Sequence, residues 1–198
     1  MKKFELTGNY KNFNGKKLFQ IKALISFGIV SKGELGGYIE NENNLSHSGD
    51  AWVYGDAWVY GDACVYGNAW VYGNAWVYGN AWVYGDARVS GDARVSGDAE
   101  VYGNAWVYGN AKVYGDAEVY GNAWVYGNAR VSGVCINIQG RWNITISDYH
   151  IQIGCELHTI KEWFSFKDSR ISKMENSALD WWNRNKEWLK ILCETRAK

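Results

Sequence analysis

The sequence predicts an all-β solenoid, on three observations. Residues 50–133 write one hexapeptide fourteen times, as [Asp/Asn]-Ala-x-Val-[Tyr/Ser]-Gly, from Asp50-Ala51-Trp52-Val53-Tyr54-Gly55 to Asn128-Ala129-Arg130-Val131-Ser132-Gly133. Ala, Val and Gly never vary among the copies, and a fixed short period signals stacked repeats. The 198 residues contain no proline, which fits a chain whose corners all use Gly with Asp or Asn.

Each unit is a short strand and a corner. Ala51 and Val53 lie two apart and share one face of an extended strand, with Trp52 and Tyr54 on the other. Gly55-Asp56 is turn chemistry, because Gly adopts positive φ freely and Asp or Asn tolerates it best among the rest. One such strand cannot bury its Ala-Val face alone. Stacked turns bury it as a continuous core, each Val contributing roughly 1.5–3 kcal/mol.

The wording Val53-Tyr54-Gly55-Asp56-Ala57-Trp58 resembles the hexapeptide repeat of left-handed parallel β-helices, over 84 of the 198 residues. The resemblance implies three hexads per triangular coil, about five to six coils, and a left hand where crossover connections are otherwise right-handed. The Tyr after each Val departs from the small or acidic residue that many members carry there. With the entry Gly36-Gly37-Tyr38-Ile39-Glu40 and Asn44-Leu45-Ser46, the repeat is most similar to a poorly characterised bacterial and bacteriophage subgroup. Its members are called transferases or polymer-forming proteins on repeat similarity alone.

Three hexads per coil stack every eighteenth residue, with a rise of about 4.8 Å. The first face then carries the outward columns Trp52, Trp70, Arg88, Trp106, Trp124 and Tyr54, Tyr72, Ser90, Tyr108, Tyr126. The second carries Trp58, Trp76, Arg94, Lys112, Arg130 beside Tyr60, Tyr78, Ser96, Tyr114, Ser132. The third carries Cys64, Trp82, Glu100, Glu118 beside Tyr66, Tyr84, Tyr102, Tyr120. Of the chain's 12 Trp and 14 Tyr, 18 occupy these outward positions. They stack coil on coil, cover one another in a homotrimer, or bind a partner.

Four segments are expected: residues 1–49 as an N-terminal cap with a degenerate first coil, 50–133 as the β-helix, 134–156 as its irregular extension, and 157–198 as a helical cap or oligomerisation segment. In the first, Lys17 to Ala23 alternates as a strand, Gly33 to Gly37 is a turn, and Tyr38-Ile39 and Asn44-Leu45-Ser46 are degenerate hexads. The cap covers the open strand edge of the first coil. After Gly133 the hexad fails at Asn137, and Val134–Ile138, Arg141–Ile146 and Tyr149–Ile153 keep period-2 alternation as one looser coil. Thr159-Ile160-Lys161-Glu162 is a capping box, Asp168 caps a second helix ending near Met174, and a longer helix opens at Ser177 and runs to about Cys193. Ala178, Trp181, Trp188 and Leu192, with Ile171 and Met174, form a seam that docks on the chain's own β-helix or on a neighbouring subunit.

Net charge is zero, with nine acids against four bases in the repeats and 12 against 17 in the flanks. That balance argues against nucleic acid as a partner, since its binders show a concentrated basic stripe. No long apolar stretch follows Lys2-Lys3, and Ile21–Val30 is about half a membrane span, so no leader or membrane partner is expected and the cytoplasm (of a host cell if phage-encoded) is the expected location. Cys64, Cys135, Cys155 and Cys193 show no CxxC or zinc spacing, so neither metal nor disulfide is expected.

The best-known enzymes with this repeat are trimeric acyltransferases that hold acyl-CoA between subunits and use a His near a loop leaving the helix. Here no His falls within the fourteen hexads. His47 precedes them, and His150 and His158 follow, so an acyltransferase would rest on His47 or His158, and acyl-CoA is implied only in that case. The single coil that breaks the aromatic rule is the stronger candidate. Residues 86–103 bring Arg88, Arg94 and Glu100 in place of Trp, and Ser90 and Ser96 in place of Tyr, with Trp70 and Trp106 above and below. This notch suits an anionic planar ligand, with Arg on phosphate or carboxylate and an aromatic ring on its face, unless it is drift in the repeat or a salt-bridged subunit contact. The expectation is a cofactor-free binding protein, a homotrimer that sequesters a nucleotide-like molecule or occludes a host protein. The alternatives are the acyltransferase and an end-to-end polymer-forming scaffold, though fold does not dictate function.

Overall fold

The computed structural model describes residues 1–196. Three cap strands, β1 (Phe4–Phe13), β2 (Lys16–Ala23) and β3 (Leu35–Ile39), precede fourteen two-residue strands, β4 to β17, running from Trp52–Val53 to Arg130–Val131 at one per hexad. Then come β18 (Ile136–Ile138), β19 (Ile144–Ile146), β20 (His150–Ile153), β21 (Glu156–Thr159), and helices α1 (Ile160–Ser165), α2 (Asp168–Ile171) and α3 (Ala178–Arg196).

The repeat closes into a parallel β-solenoid whose register follows the eighteen-residue period. On the first face Trp52 lies opposite Trp70, Trp70 opposite Arg88, Arg88 opposite Trp106 and Trp106 opposite Trp124. The second aligns Trp58, Trp76, Arg94, Lys112 and Arg130, and the third Cys64, Trp82, Glu100 and Glu118. Every repeat Ala and Val is at most 2% exposed, so the invariant pair is the core.

The corners need glycine for two reasons. Gly97 sits at φ +74, where a side chain is strained, and a Cβ there would lie 2.8 Å from the Gly115 nitrogen of the next coil. The residues after these glycines form amide ladders, in which Asn68, Asn74 and Asn80 donate to Asp86, Asp92 and Asp98 at 3.1, 3.0 and 2.7 Å. An all-Asn coil thus separates the all-Asp corners at 50, 56 and 62 from those at 86, 92 and 98, keeping like charges from stacking one strand apart.

The N-terminal cap joins the second face in the order β1-β2-β3-β5. β1 and β2 form a hairpin closed by Asn14-Gly15, both at positive φ, a two-residue turn whose twist suits the flanking strands. β3 pairs antiparallel with β2 and parallel with β5, which converts the hairpin into solenoid. The expected turn at Gly33–Gly37 therefore ends early, because β3 begins at Leu35. Gly36 and Gly37 serve close packing there: a Cβ on Gly36 would meet Ile21 at 2.6 Å, and one on Gly37 would meet the Ala57 oxygen at 2.7 Å.

Tyr38 and Ile39 pair with Trp58 and Val59, and Leu45 bridges Val65, so the degenerate hexads do form the first coil. Their offset is twenty residues rather than eighteen, and the two extra residues fall in the corner around His47. Side chains tie this irregular coil to its neighbours. Asn44 donates to the Gly61 and Ala63 carbonyls at 2.9 and 2.8 Å, and the Lys3 ammonium to Gly49 and Ala51 at 3.2 and 2.8 Å. Lys3 is 1% exposed, and burial pulls its pKa down to about 8 against the opposing pull of Asp50.

Beyond Gly133 the solenoid ends. Residues 134–156 do not add a looser coil: β18 to β21 form a separate antiparallel sheet in sequence order. Without the Gly-Asp corner every six residues, the chain reverses after each strand instead of turning the triangle. This sheet seals the last coil, where the Trp124 N–H donates to the Thr145 hydroxyl at 3.3 Å and the Ser132 N–H to Asp148 at 2.6 Å. Thr159 and Glu162 make the expected capping box of α1, whereas Lys167 rather than Asp168 precedes α2 and makes no side-chain cap. The seam of α3 is turned by one residue, since Ala178, Trp182, Leu189 and Cys193 are buried while Trp181, Trp188 and Leu192 are half-buried at its margins. It packs on the antiparallel sheet through Ile144, Ile146 and Ile151, in a core separate from that of the solenoid. The last two residues of the 157–198 segment lie outside the described ones.

Candidate ligand-binding site

Most of the outward rings face one another. Trp58 and Trp76 stack at 4.9 Å with Phe13 edge-on to both, and Tyr66, Tyr84, Tyr102 and Tyr120 form a continuous ladder at 4.8, 4.9 and 5.4 Å. Burial pushes the Tyr60 and Tyr126 phenols up to about 12, and burial together with a 2.8 Å bond to Glu100 raises Tyr84 further. Trp52, expected in the outward column, is fully buried because Phe27 and Phe4 of the cap lie edge-on over it.

Residues 86–103 interrupt the stacks on two faces, in opposite directions. Arg88 lays its guanidinium over Trp106 of the following coil at 4.8 Å, while Arg94 lies over Trp76 of the preceding coil at 4.7 Å. Leaning away from Trp70, Arg88 opens a cleft of about 630 Å3 on the first face. Trp70, Tyr72, Asp86 and Arg88 line it, with Asn68 and Asp50 at the corner, and Gly28-Ile29 of the loop between β2 and β3 as an outer wall. Ile29 is 81% exposed, and Gly28 lets the loop approach Asp50, to which a Cβ would come within 3.4 Å. At the corner the Asp50 N–H donates to Asn68 at 3.4 Å, and Asn68 donates on to Asp86.

Of the six expected ligand residues, the cleft takes Trp70 and Arg88. Trp106 lies under Arg88, and Ser90 belongs to the same strand region of the first face. Arg94 and Ser96 belong to the second face, beyond the corner at Gly91-Asp92, so the six do not form one pocket. A hexad step is a change of face, whereas only an eighteen-residue step stays on one. Tyr72, Asn68, Asp50 and Asp86 were missed although their eighteen-residue columns are legible; Gly28-Ile29 carries no local signal.

The histidines are engaged elsewhere. His47 stacks on Phe4 at 4.2 Å, accepts the Lys3 N–H at Nδ1, and approaches Glu42 at 3.6 Å. His158 contacts Glu156 at 2.8 Å and lies edge-on to Trp163 and Phe166. Burial lowers the pKa of His150 against the pull of Glu162. Cys135 is buried in the solenoid core and Cys193 in the C-terminal core, while Cys155 is exposed. Among the described residues, no group of three or more His, Cys, Asp or Glu side chains is placed to hold a metal, and no helix is long and apolar enough to cross a membrane.

The YdcK beta solenoid repeat family model matches residues 57–73, 63–79, 69–85, 81–97, 87–101 and 93–109, overlapping windows that all lie inside the hexapeptide block. The chain is therefore similar to a β-solenoid repeat family over a stretch that includes Trp70 and Arg88. No curated protein matches the sequence.

Proposed function

We propose that the chain is a binding protein, not an enzyme, whose first face holds a planar, anionic, nucleotide-like molecule in the cleft between Trp70 and Arg88. One observation carries this reading: the stack is broken where a cationic fork, three aromatic side chains (Tyr54, Trp70 and Tyr72) and a cap loop meet around a space of ligand size. Arg88 suits a phosphate by a bidentate contact, and Trp70 and Tyr72 suit a ring. Asn68, Asp50 and Asp86 suit the amino and hydroxyl donors of the ligand's other end and disfavour a second anionic group beside them. The acyltransferase alternative draws less support, because His47 is committed to cap contacts and His158 to Glu156. The scaffold alternative meets a covered edge at each end of the solenoid.

The same reading keeps the repeat in the left-handed hexapeptide class that it resembles, and makes the protein a homotrimer. Arg94, Lys112 and Arg130 stack on the second face and Glu100 and Glu118 on the third. Columns of like charge repel within a sheet, and joining the second face of one copy to the third of the next relieves both. The first face stays available for the ligand, with a host protein as the competing occupant.

Calorimetric titration of the intact protein with a panel of nucleotides tests the ligand. Arg88→Ala is expected to abolish binding while Arg94→Ala leaves it intact; equal loss in both, or no binding of any nucleotide, overturns the cleft. Light scattering in low and high salt tests assembly, with a trimer expected at low salt that loosens as screening increases. A monomer at low salt overturns it.

A further inference from the structure

A second cavity lies at the other end of the molecule, and its walls are of a different kind. It measures about 130 Å3 and is lined by Trp142, Trp163, Trp181 and Trp182, with the carboxylates Glu156 and Glu175 also on its boundary. That is close to the roughly 150 Å3 apolar cavity that accepts benzene in another protein. We infer that this cavity is an aromatic cage for a small soluble quaternary ammonium compound, of which choline is the simplest biological example.

The cage is built by the C-terminal fold rather than by the repeat. Trp142 and Trp181 meet at 75° with centroids 5.4 Å apart, so two indoles form a corner. Trp163 and Trp182 pair at 5.4 Å as another wall, and the Trp163 indole N–H is fixed on the Ile151 carbonyl at 2.7 Å. Trp142 is seated by Gly154 in the β20–β21 turn, where φ is +59 and a Cβ would come within 3.4 Å of the indole. Ring faces carry negative potential and attract a cation that sheds water cheaply, which a methylated ammonium does and a lysine ammonium does not. Two carboxylates at the boundary add attraction, tempered by the arginines that pair with them, without demanding a hydrogen bond that such a head group cannot give.

The wall already takes a cation. Arg141 lies over Trp142 at 4.9 Å, and its guanidinium reaches Glu175 at 3.6 Å, from a side chain 57% exposed. Glu156 is held by His158 at 2.8 Å and by Arg170 at 3.7 Å. Arg141 is not itself part of the lining, but it pairs with Glu175, so an incoming ammonium competes with it for that carboxylate.

The test is titration of the full chain with choline and tetramethylammonium, followed by tryptophan fluorescence and calorimetry, beside the neutral isostere 3,3-dimethylbutanol. Both cations are expected to bind, and the isostere about tenfold more weakly. Glu175→Gln should shrink that ratio, and Arg141→Ala should tighten choline binding, an improvement that a misfolded variant does not show. Equal affinity for choline and its isostere, absence of binding, or weaker binding in Arg141→Ala overturns the cage. A trimethyl-lysine peptide that binds more tightly than choline overturns the small-molecule source. Nucleotide binding at the Trp70–Arg88 cleft is read separately and does not bear on these outcomes.

Discussion

Residues 50–133 and 134–196 each bury a core under a surface rich in indole rings, and they do it in opposite ways. In the solenoid the core and corner residues meet their own counterparts eighteen positions on, Val on Val and Gly on Gly, and much of the outward Tyr column does the same. In the C-terminal region no contact recurs at a fixed period, and many join residues of unlike kind, such as Trp163 with Ile151 or Gly154 with Trp142. A repeated contact spreads stability along an axis, whereas a unique contact concentrates it in a few side chains. The two cores share no buried residue, so they are expected to melt separately.

The largest expected effect breaks the C-terminal region alone. Leu189 is fully buried in that core, and Leu189→Ala should cost about 2–5 kcal/mol. Hydrogen exchange should then show α3 and β18–β21 opening while the solenoid amides stay protected; loss of protection along the whole chain would mean one cooperative unit. Next comes a change confined to the solenoid. Gly97→Ala imposes a left-handed conformation and crowds Gly115, for about 1–3 kcal/mol, lowering the solenoid transition in a thermal melt. Gly8→Ala, at ordinary φ with open space around it, is the control and should change little. Thr159→Ala removes the α1 capping box for about 0.5–2 kcal/mol and should move only the C-terminal transition.

A pH dependence with two signs sharpens the comparison further. The folded pKa of Lys3, about 8, lies below its ordinary 10.5, so the unfolded chain holds the extra proton between these values and stability rises with pH across that window. The folded Tyr60 and Tyr126 values, about 12, lie above their ordinary 10.0, so their contribution is intact below pH 10 and is lost as pH climbs to 12. Melting temperature against pH should therefore climb from 8 towards 10 and fall beyond. Lys3→Met should remove the climb and leave the fall, which phenolate absorbance tracks independently.

Much of the solenoid was legible because its signal is written fourteen times. The identity of core, corner and outward positions, and the columns from Trp70 to Arg88 to Trp106, follow from the period. Other features were present but went unrecognised. Asn14-Gly15 between two alternating strands is a strong hairpin signal, and Gly36-Gly37, which read as a turn in sequence, serve close packing within a strand. The candidate site was half legible: Trp70 and Arg88 stand out as the exception within the repeat, but Arg94 and Ser96 were grouped with them by nearness in sequence. Nearness along a solenoid chain is a step around the axis, and the face changes with it.

By itself the sequence determined the parallel register, the Ala-Val core, the glycine corners and the capping box of α1, since each rests on chemistry local to a few residues or on a contact between identical units. Tertiary structure alone decided where unlike segments meet: the loop that sets Ile29 over the first face, the cap rings that bury Trp52, the reversal of β18–β21, and the one-residue turn of α3 that buries Trp182 and Leu189. Those contacts join residues far apart in the chain and of different kinds, so no period records them. Which side of α3 becomes buried depends on the shape of the sheet it meets.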